Sequence, residues 1–224
     1  MPVRLTLEHV PRDRPVSIIL RHAERDPIRS YEEGWEARLT DNGHRDAAAL
    51  GRTLVDFASM RLWSSPIPRC QQTANRLAEG LRDAGSDVDE LVVINDLAGP
   101  YLHDAEKVLK IALDIGDRAF VRRWFEGDLA SEHLMPSPRA ATGQLMVLTE
   151  TLATHDEPGL YVHCSHDWNI LLLREHFLGI RHEDAGMPDF LEGLATWRDG
   201  HDLVVQWRDN QHRMRWRRLA ESAE

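Results

Sequence analysis

Cysteine, lysine and long apolar runs are all scarce in this 224-residue chain, and each scarcity removes a class of protein. Only Cys70 and Cys164 occur, too few and too far apart for a disulfide framework or a thiolate zinc site. No segment approaches the roughly 20 apolar residues that span a bilayer, and residues 1–14 scatter charge where a secretory leader would be apolar. The chain therefore reads as cytoplasmic, with no membrane partner. Two of the 27 basic residues are Lys and the rest Arg, and 37 acidic residues leave a net charge of −10. That balance excludes a surface gripping nucleic acid through many phosphate contacts, so any anion site must be local. Repeats, low-complexity tracts and long linkers are missing too. This points to a single domain over residues 1–224 with a sizeable core.

What is present is a series of short apolar runs that stop abruptly at polar residues. Residues 16–20 form a β-branched run fit for a buried strand, and it ends in Arg21-His22-Ala23-Glu24-Arg25-Asp26-Pro27. Residues 61–63 form a second run, ending in Ser64-Ser65-Pro66-Ile67-Pro68-Arg69 before a helix with Ala74, Leu77, Leu81 and Ala84 on one face. Residues 91–94 read as a third buried strand. Residues 160–165 read as a fourth, followed by His166-Asp167 and a helix over 168–177. Thr40 can cap a helix carrying Ala47, Leu50, Leu54 and Phe57, and Asp104 one carrying Val108, Ile111 and Ile115 up to Gly116. Leu145, Leu148 and Leu152 mark another helix. Residues 194–197, 203–207 and 214–216 look like antiparallel strands joined at Arg198-Asp199-Gly200 and Arg208-Asp209-Asn210. The pattern predicts an α/β protein of three layers, α/β/α, around a mixed, mostly parallel sheet.

In open α/β sheets ligands bind beyond the carboxyl ends of the strands. Arg21, His22, Arg25, Arg69, His166 and Asp167 all fall at such ends. Guanidinium forks match the oxygens of a phosphate monoester, His22 can serve as nucleophile and Asp167 can protonate the leaving oxygen. His163, inside an apolar strand, reads as a core histidine. His163, His166 and His22 have no metal-ligand spacing, so no metal and no other cofactor is expected. The alternation of Met214 and Trp216 with Arg213, Arg215 and Arg217 fits a one-sided strand, its basic face in solvent, better than a nucleic-acid patch.

These blocks resemble the histidine phosphatase superfamily, which includes the phosphoglycerate mutases. Arg21-His22-Ala23-Glu24-Arg25-Asp26-Pro27 and His166-Asp167 look like the motifs of its acid-phosphatase branch. Ser64-Ser65 with Arg69 and Thr73-Ala74, and Leu39-Thr40-Asp41-Asn42-Gly43 with Leu50-Gly51, are similar to blocks shared across the superfamily. The resemblance implies that His22 becomes a phosphohistidine, that Arg21, Arg25, Arg69 and His166 bind the phosphoryl group, and that Asp167 is the general acid. It also implies a phosphomonoester substrate and a mutase-like fold, with residues 96–140 covering the site. A mutase outcome, or a phospholigand-binding module with little turnover, stands beside the phosphatase.

Two departures from the family pattern carry expectations. Ala23 replaces the usual Gly, which costs nothing if its φ is negative and is strained if φ is positive. The chain is as short as the mutase-like members, whose acid follows the second Arg, so Asp96, His103 and Glu106 rival Asp167. An Asp acid near its ordinary pKa of ~3.9 predicts a mildly acidic optimum. Tyr101, His103, Trp124, Phe125 and His133 are candidates for contacting the leaving group.

Overall fold

The computed structural model describes residue 5 and residues 7–216. Its frame is one seven-stranded sheet in the order β3-β2-β4-β1-β5-β6-β7. Strands β1 (Pro15–Arg21), β2 (Met60–Ser64), β3 (Val92–Val93) and β4 (Gly159–Ser165) run parallel. Beyond β1, strands β5 (Gly193–Asp199), β6 (Asp202–Trp207) and β7 (Asn210–Arg215) continue the sheet as antiparallel neighbours. Every residue of β4 is buried, as are all but the ends of β1, because helices cover both faces of the sheet.

Helices α2 (Asp41–Gly51) and α3 (Pro68–Asp83) pack on one face, burying Ala47, Leu50, Ala74, Leu77 and Leu81 together with Ile18 and Val162. They approach so closely that a methyl group on Gly51 would strike the Leu77 carbonyl, and one on Gly80 the Ala48 carbonyl. On the other face, α6 (Ser137–Thr154) and α7 (Asp167–Leu178) bury Leu145, Leu148, Ile170 and Leu173 against Ile19 and Leu194. A six-residue helix α1 (Tyr31–Glu36), then α4 (Ala105–Ile115) and α5 (Asp117–Phe125), lies over the strand ends, with α8 (His182–Ala185) after α7. Thr40 and Asp104 cap α2 and α4, each accepting from the backbone N–H three residues on.

Two details differ from the sequence reading, and a third follows it. The Leu91–Ile94 run is no buried strand: β3 has two residues, both 46% exposed, because it pairs only with β2 and its other edge is open. Helix α2 stops at Gly51, so Leu54 and Phe57 reach the core from the turn that follows rather than from the helix face. In the C-terminal strand Met214 and Trp216 pack inward while Arg213 stays exposed and pairs with Asp199; Arg217 lies outside the described residues. Among the described residues no helix is long and apolar enough to cross a membrane.

Candidate active site

Strand register does most of the assembly. Arg21 pairs with Ser165 across β1 and β4, and Ser64 with Cys164 across β2 and β4. The next residues along, His22, Ser65 and His166, therefore emerge side by side on one edge of the sheet. Backbone bonds fasten them there: His22 N–H donates to Ser165 O at 2.9 Å, and Ser65 N–H to Cys164 O at 3.0 Å. They open into a cleft of about 280 Å³ lined by His22, Arg25, Arg69, His166 and Asp167. Arg21 stands behind that wall, its Nη2 2.9 Å from Asp167 Oδ2.

His22 is 1% exposed. Its Nδ1–H donates to the Ala23 carbonyl at 2.8 Å, which leaves the lone pair on Nε2. Burial first, then the charges of Arg69, His166 and Arg21, push its pKa well below the usual histidine value, so the imidazole is neutral. Positive φ at non-glycine positions is confined, among the described residues, to Leu191 and Arg208. Ala23 is thus unstrained; its methyl lies in the core, and its N–H donates to Thr73 Oγ1 at 2.9 Å.

His166 is held from both sides. Its Nδ1 accepts from Arg69 Nη2 at 3.1 Å, so Nε2–H donates to Ser65 Oγ at 3.0 Å. Burial and then the Arg69 charge lower its pKa to about 3, against the pull of Asp167. Arg69 Nη1 donates to Gly34 O at 2.6 Å, tying α3 to α1. Arg25 loses stabilisation of its charge to burial and its pKa falls to about 10. The Nε–H groups of Arg21, Arg25 and Arg69 are buried without a partner, as are those of Arg174 and Arg208 elsewhere, and of these five arginines Arg25 and Arg69 line the cleft where an anion would enter. Arg21 is shaped further by residues the sequence did not point to: it donates to Pro188 O and lies 4.2 Å from the Phe190 ring centroid.

Asp167 departs from expectation. Burial pushes its carboxyl up, but Arg21, then His166, Arg25 and Arg69, together hold it below the usual carboxylate value, so in the free protein it is ionised. Its rivals Asp96, His103 and Glu106 are exposed and do not line the cleft. A different carboxylate does. Asp117, the first residue of α5, is exposed but lines the cleft, and partial desolvation there, then the Asp167 charge, raise its pKa above the usual value. In sequence Gly116-Asp117 is indistinguishable from an ordinary acidic helix start.

The Leu39-to-Gly43 block also acquires a task. Thr40 Oγ1 donates to Glu24 Oε1 at 2.7 Å, and a methyl on Gly43 would strike the Glu24 carbonyl, so the N-terminus of α2 braces the loop that carries Arg25. Of the five candidate leaving-group contacts only Tyr101 lines the cleft, its hydroxyl donating to Asn169 Oδ1 at 2.6 Å. Trp124 and Phe125 pack in the core with Phe120, while His103 and His133 lie outside the cleft. His163 is a core residue, donating from Nδ1 to Ile18 O at 3.0 Å, accepting at Nε2 from Thr151 and stacking on Trp63. Glu175, His182 and Glu183 alone among the described residues have metal-ligand spacing. Arg122 already supplies a cation to both carboxylates there.

Comparison with known proteins agrees with this architecture. The model of the histidine phosphatase superfamily (branch 1) matches residues 17–197. No curated protein matches the sequence. Among solved structures, a mycobacterial glucosyl-3-phosphoglycerate phosphatase with inorganic phosphate superposes with a TM-score of 0.58 at 19% identity, covering 90% of this chain and 95% of the other. A mutant phosphoserine phosphatase of Entamoeba histolytica with phosphoserine gives 0.56 at 14% identity, covering 86% and 95%. A phosphoglycerate mutase of Bacillus anthracis gives 0.56 at 13%, covering 91% and 93%. Such identities carry the phosphoglycerate mutase-like fold and leave the substrate to the site itself.

Proposed function

Because the chain belongs to the histidine phosphatase superfamily, branch 1, we propose that it is a phosphomonoesterase working through a phosphohistidine at His22, without metal or other cofactor. The observation that carries this reading is the neutral, buried His22 with its Nε2 lone pair free, set beside three arginines whose buried Nε–H groups lack partners. In the first step Nε2 bonds to phosphorus as the ester P–O bond breaks. Arg25 and Arg69 balance the charge on the non-bridging oxygens, Arg21 adds its charge from behind Asp167, and His166 takes part as a neutral hydrogen-bonding group, together doing the work a metal ion does elsewhere.

Asp167 delivers the proton to the departing alkoxide. A phosphate dianion engaging Arg25 and Arg69 offsets the positive field that keeps Asp167 ionised, so substrate binding itself raises the carboxyl toward protonation. Water, losing its proton to Asp167, then attacks phosphorus; the P–N bond breaks and inorganic phosphate leaves. A second reading gives the proton to Asp117, favoured by its raised pKa and its place in the same cleft. The two buried free thiols, Cys70 and Cys164, suit a reducing, cytoplasmic compartment.

A phosphate-release screen over phosphomonoesters, with His22→Ala as the blank, tests the reading. Release that disappears in the variant supports it. Isomerised phosphoester without free phosphate would indicate a mutase instead, and phosphate binding without turnover a binding module.

A further inference from the structure

We propose that the alcohol half of the substrate is apolar, a short alkyl or aryl group bearing no second charge. The inference rests on the phosphomonoesterase reading and adds the class of leaving group to it. The charged side chains lining the cleft are Arg25, Arg69, Asp117 and Asp167. Both cations serve the phosphate end. What is left for the leaving group contains no cation to meet a carboxylate or a second phosphate, and Asp117, beside Arg25 and Asp167, would repel one.

The rest of the wall is apolar: Ile28, Tyr31 and Trp35 on the α1 side, Leu109 and Leu113 on α4, and Trp168 at the start of α7. Two of the groups that could read sugar hydroxyls are spent. The Tyr101 hydroxyl goes to Asn169 and the Gly34 carbonyl to Arg69. Meanwhile Trp35 is 43% exposed and Leu113 42%, an expense in water that an apolar ligand would relieve. Helix α1 has no buried residue of its own. It is steadied by its Ser30 cap, by Leu109 against Gly34 and by the Arg69 bond to the Gly34 carbonyl, so the apolar wall is anchored directly to the phosphate cage. A ligand that fills the wall and the cage together is a phosphate ester of an apolar alcohol.

The test compares kcat/KM for n-hexyl phosphate with glucose 6-phosphate, 3-phosphoglycerate and choline phosphate. All four release alkyl alcohols, so the comparison reads the binding of the leaving group more than bond chemistry. Calorimetry of methyl-, butyl- and hexylphosphonate adds a readout free of turnover. The proposal expects hexyl phosphate to be preferred by about tenfold or more, and phosphonate affinity to rise roughly two- to fourfold per methylene. Trp35→Ala should lose about fivefold more on hexyl than on methyl phosphate. Equal or better turnover of the sugar, carboxylate or choline esters would overturn the apolar leaving group while leaving the phosphatase reading standing. No hydrolysis of any ester would overturn the phosphatase reading and this proposal with it; a hexylphosphonate preference surviving there would belong to a binding module.

Discussion

The floor of the cleft is made at three neighbouring strand ends, whereas its outer wall comes from α1 and α4, which sit on loops above the sheet. Floor residues emerge from β1, β2 and β4, whose register sets them side by side, and the interiors of β1 and β4 are wholly buried. The wall has the opposite character. Neither residue of the Tyr31–Trp35 ring pair is buried, and α4 buries only Val108 and Ala112. Chemistry that tolerates little displacement is thus placed on the rigid frame, and contacts that distinguish one alcohol from another are placed where sequence can vary without disturbing the sheet.

The largest break in that comparison comes from removing a floor carboxylate and reading it through the leaving group. Asp167→Asn should slow hydrolysis of an alkyl phosphate by about 10²- to 10⁴-fold and that of para-nitrophenyl phosphate far less, because nitrophenolate needs no proton to depart. Asp117→Asn should cost much less on both. The reverse pattern would move the proton donor to α5. Changes to the wall, such as Trp35→Ala, should stay smaller and depend on the alcohol.

A smaller effect separates floor and wall through stability. His22, His163 and His166 are buried neutral in and beside the floor strands, His163 with a pKa lowered to about 4 and His166 to about 3, chiefly by burial. Below pH 6.5 the unfolded chain takes up protons that the folded one refuses. Stability is therefore lost as pH falls from 6.5 toward those folded values, and above 6.5 these groups contribute no pH dependence. At pH 5 the loss is at most about 2 kcal/mol for each histidine. The urea midpoint should fall between pH 7 and pH 5, and a midpoint constant over that range would contradict the neutral assignment.

The same division governs how much of the molecule is legible in its sequence. Strands β1 and β4, the Thr40 and Asp104 caps and the six charged or imidazole side chains at the strand ends can be read there, because an apolar run cut off by charged residues is the imprint of a buried strand reaching the edge of its sheet. The wall leaves no such imprint. Helix α1, Tyr-Glu-Glu-Gly-Trp-Glu, buries nothing and so has no apolar period to detect. The 91–94 run has the composition of a buried strand, and only its place at the open edge of the sheet makes β3 short and exposed. Asp117 enters the site through the path of the chain between α4 and α5, which no spacing records. The lowered pKa of Asp167 depends on Arg21 lying 2.9 Å away, a contact made across the β1–β4 register.

Capture of the phosphoenzyme tests the central claim most directly. The protein is mixed with a radiolabelled phosphomonoester, quenched within milliseconds under alkaline denaturing conditions that preserve phosphohistidine, and mapped by mass spectrometry. The account predicts acid-labile phosphate on His22 and none on the His22→Ala variant. Label on another residue, or full turnover by the variant, would contradict it.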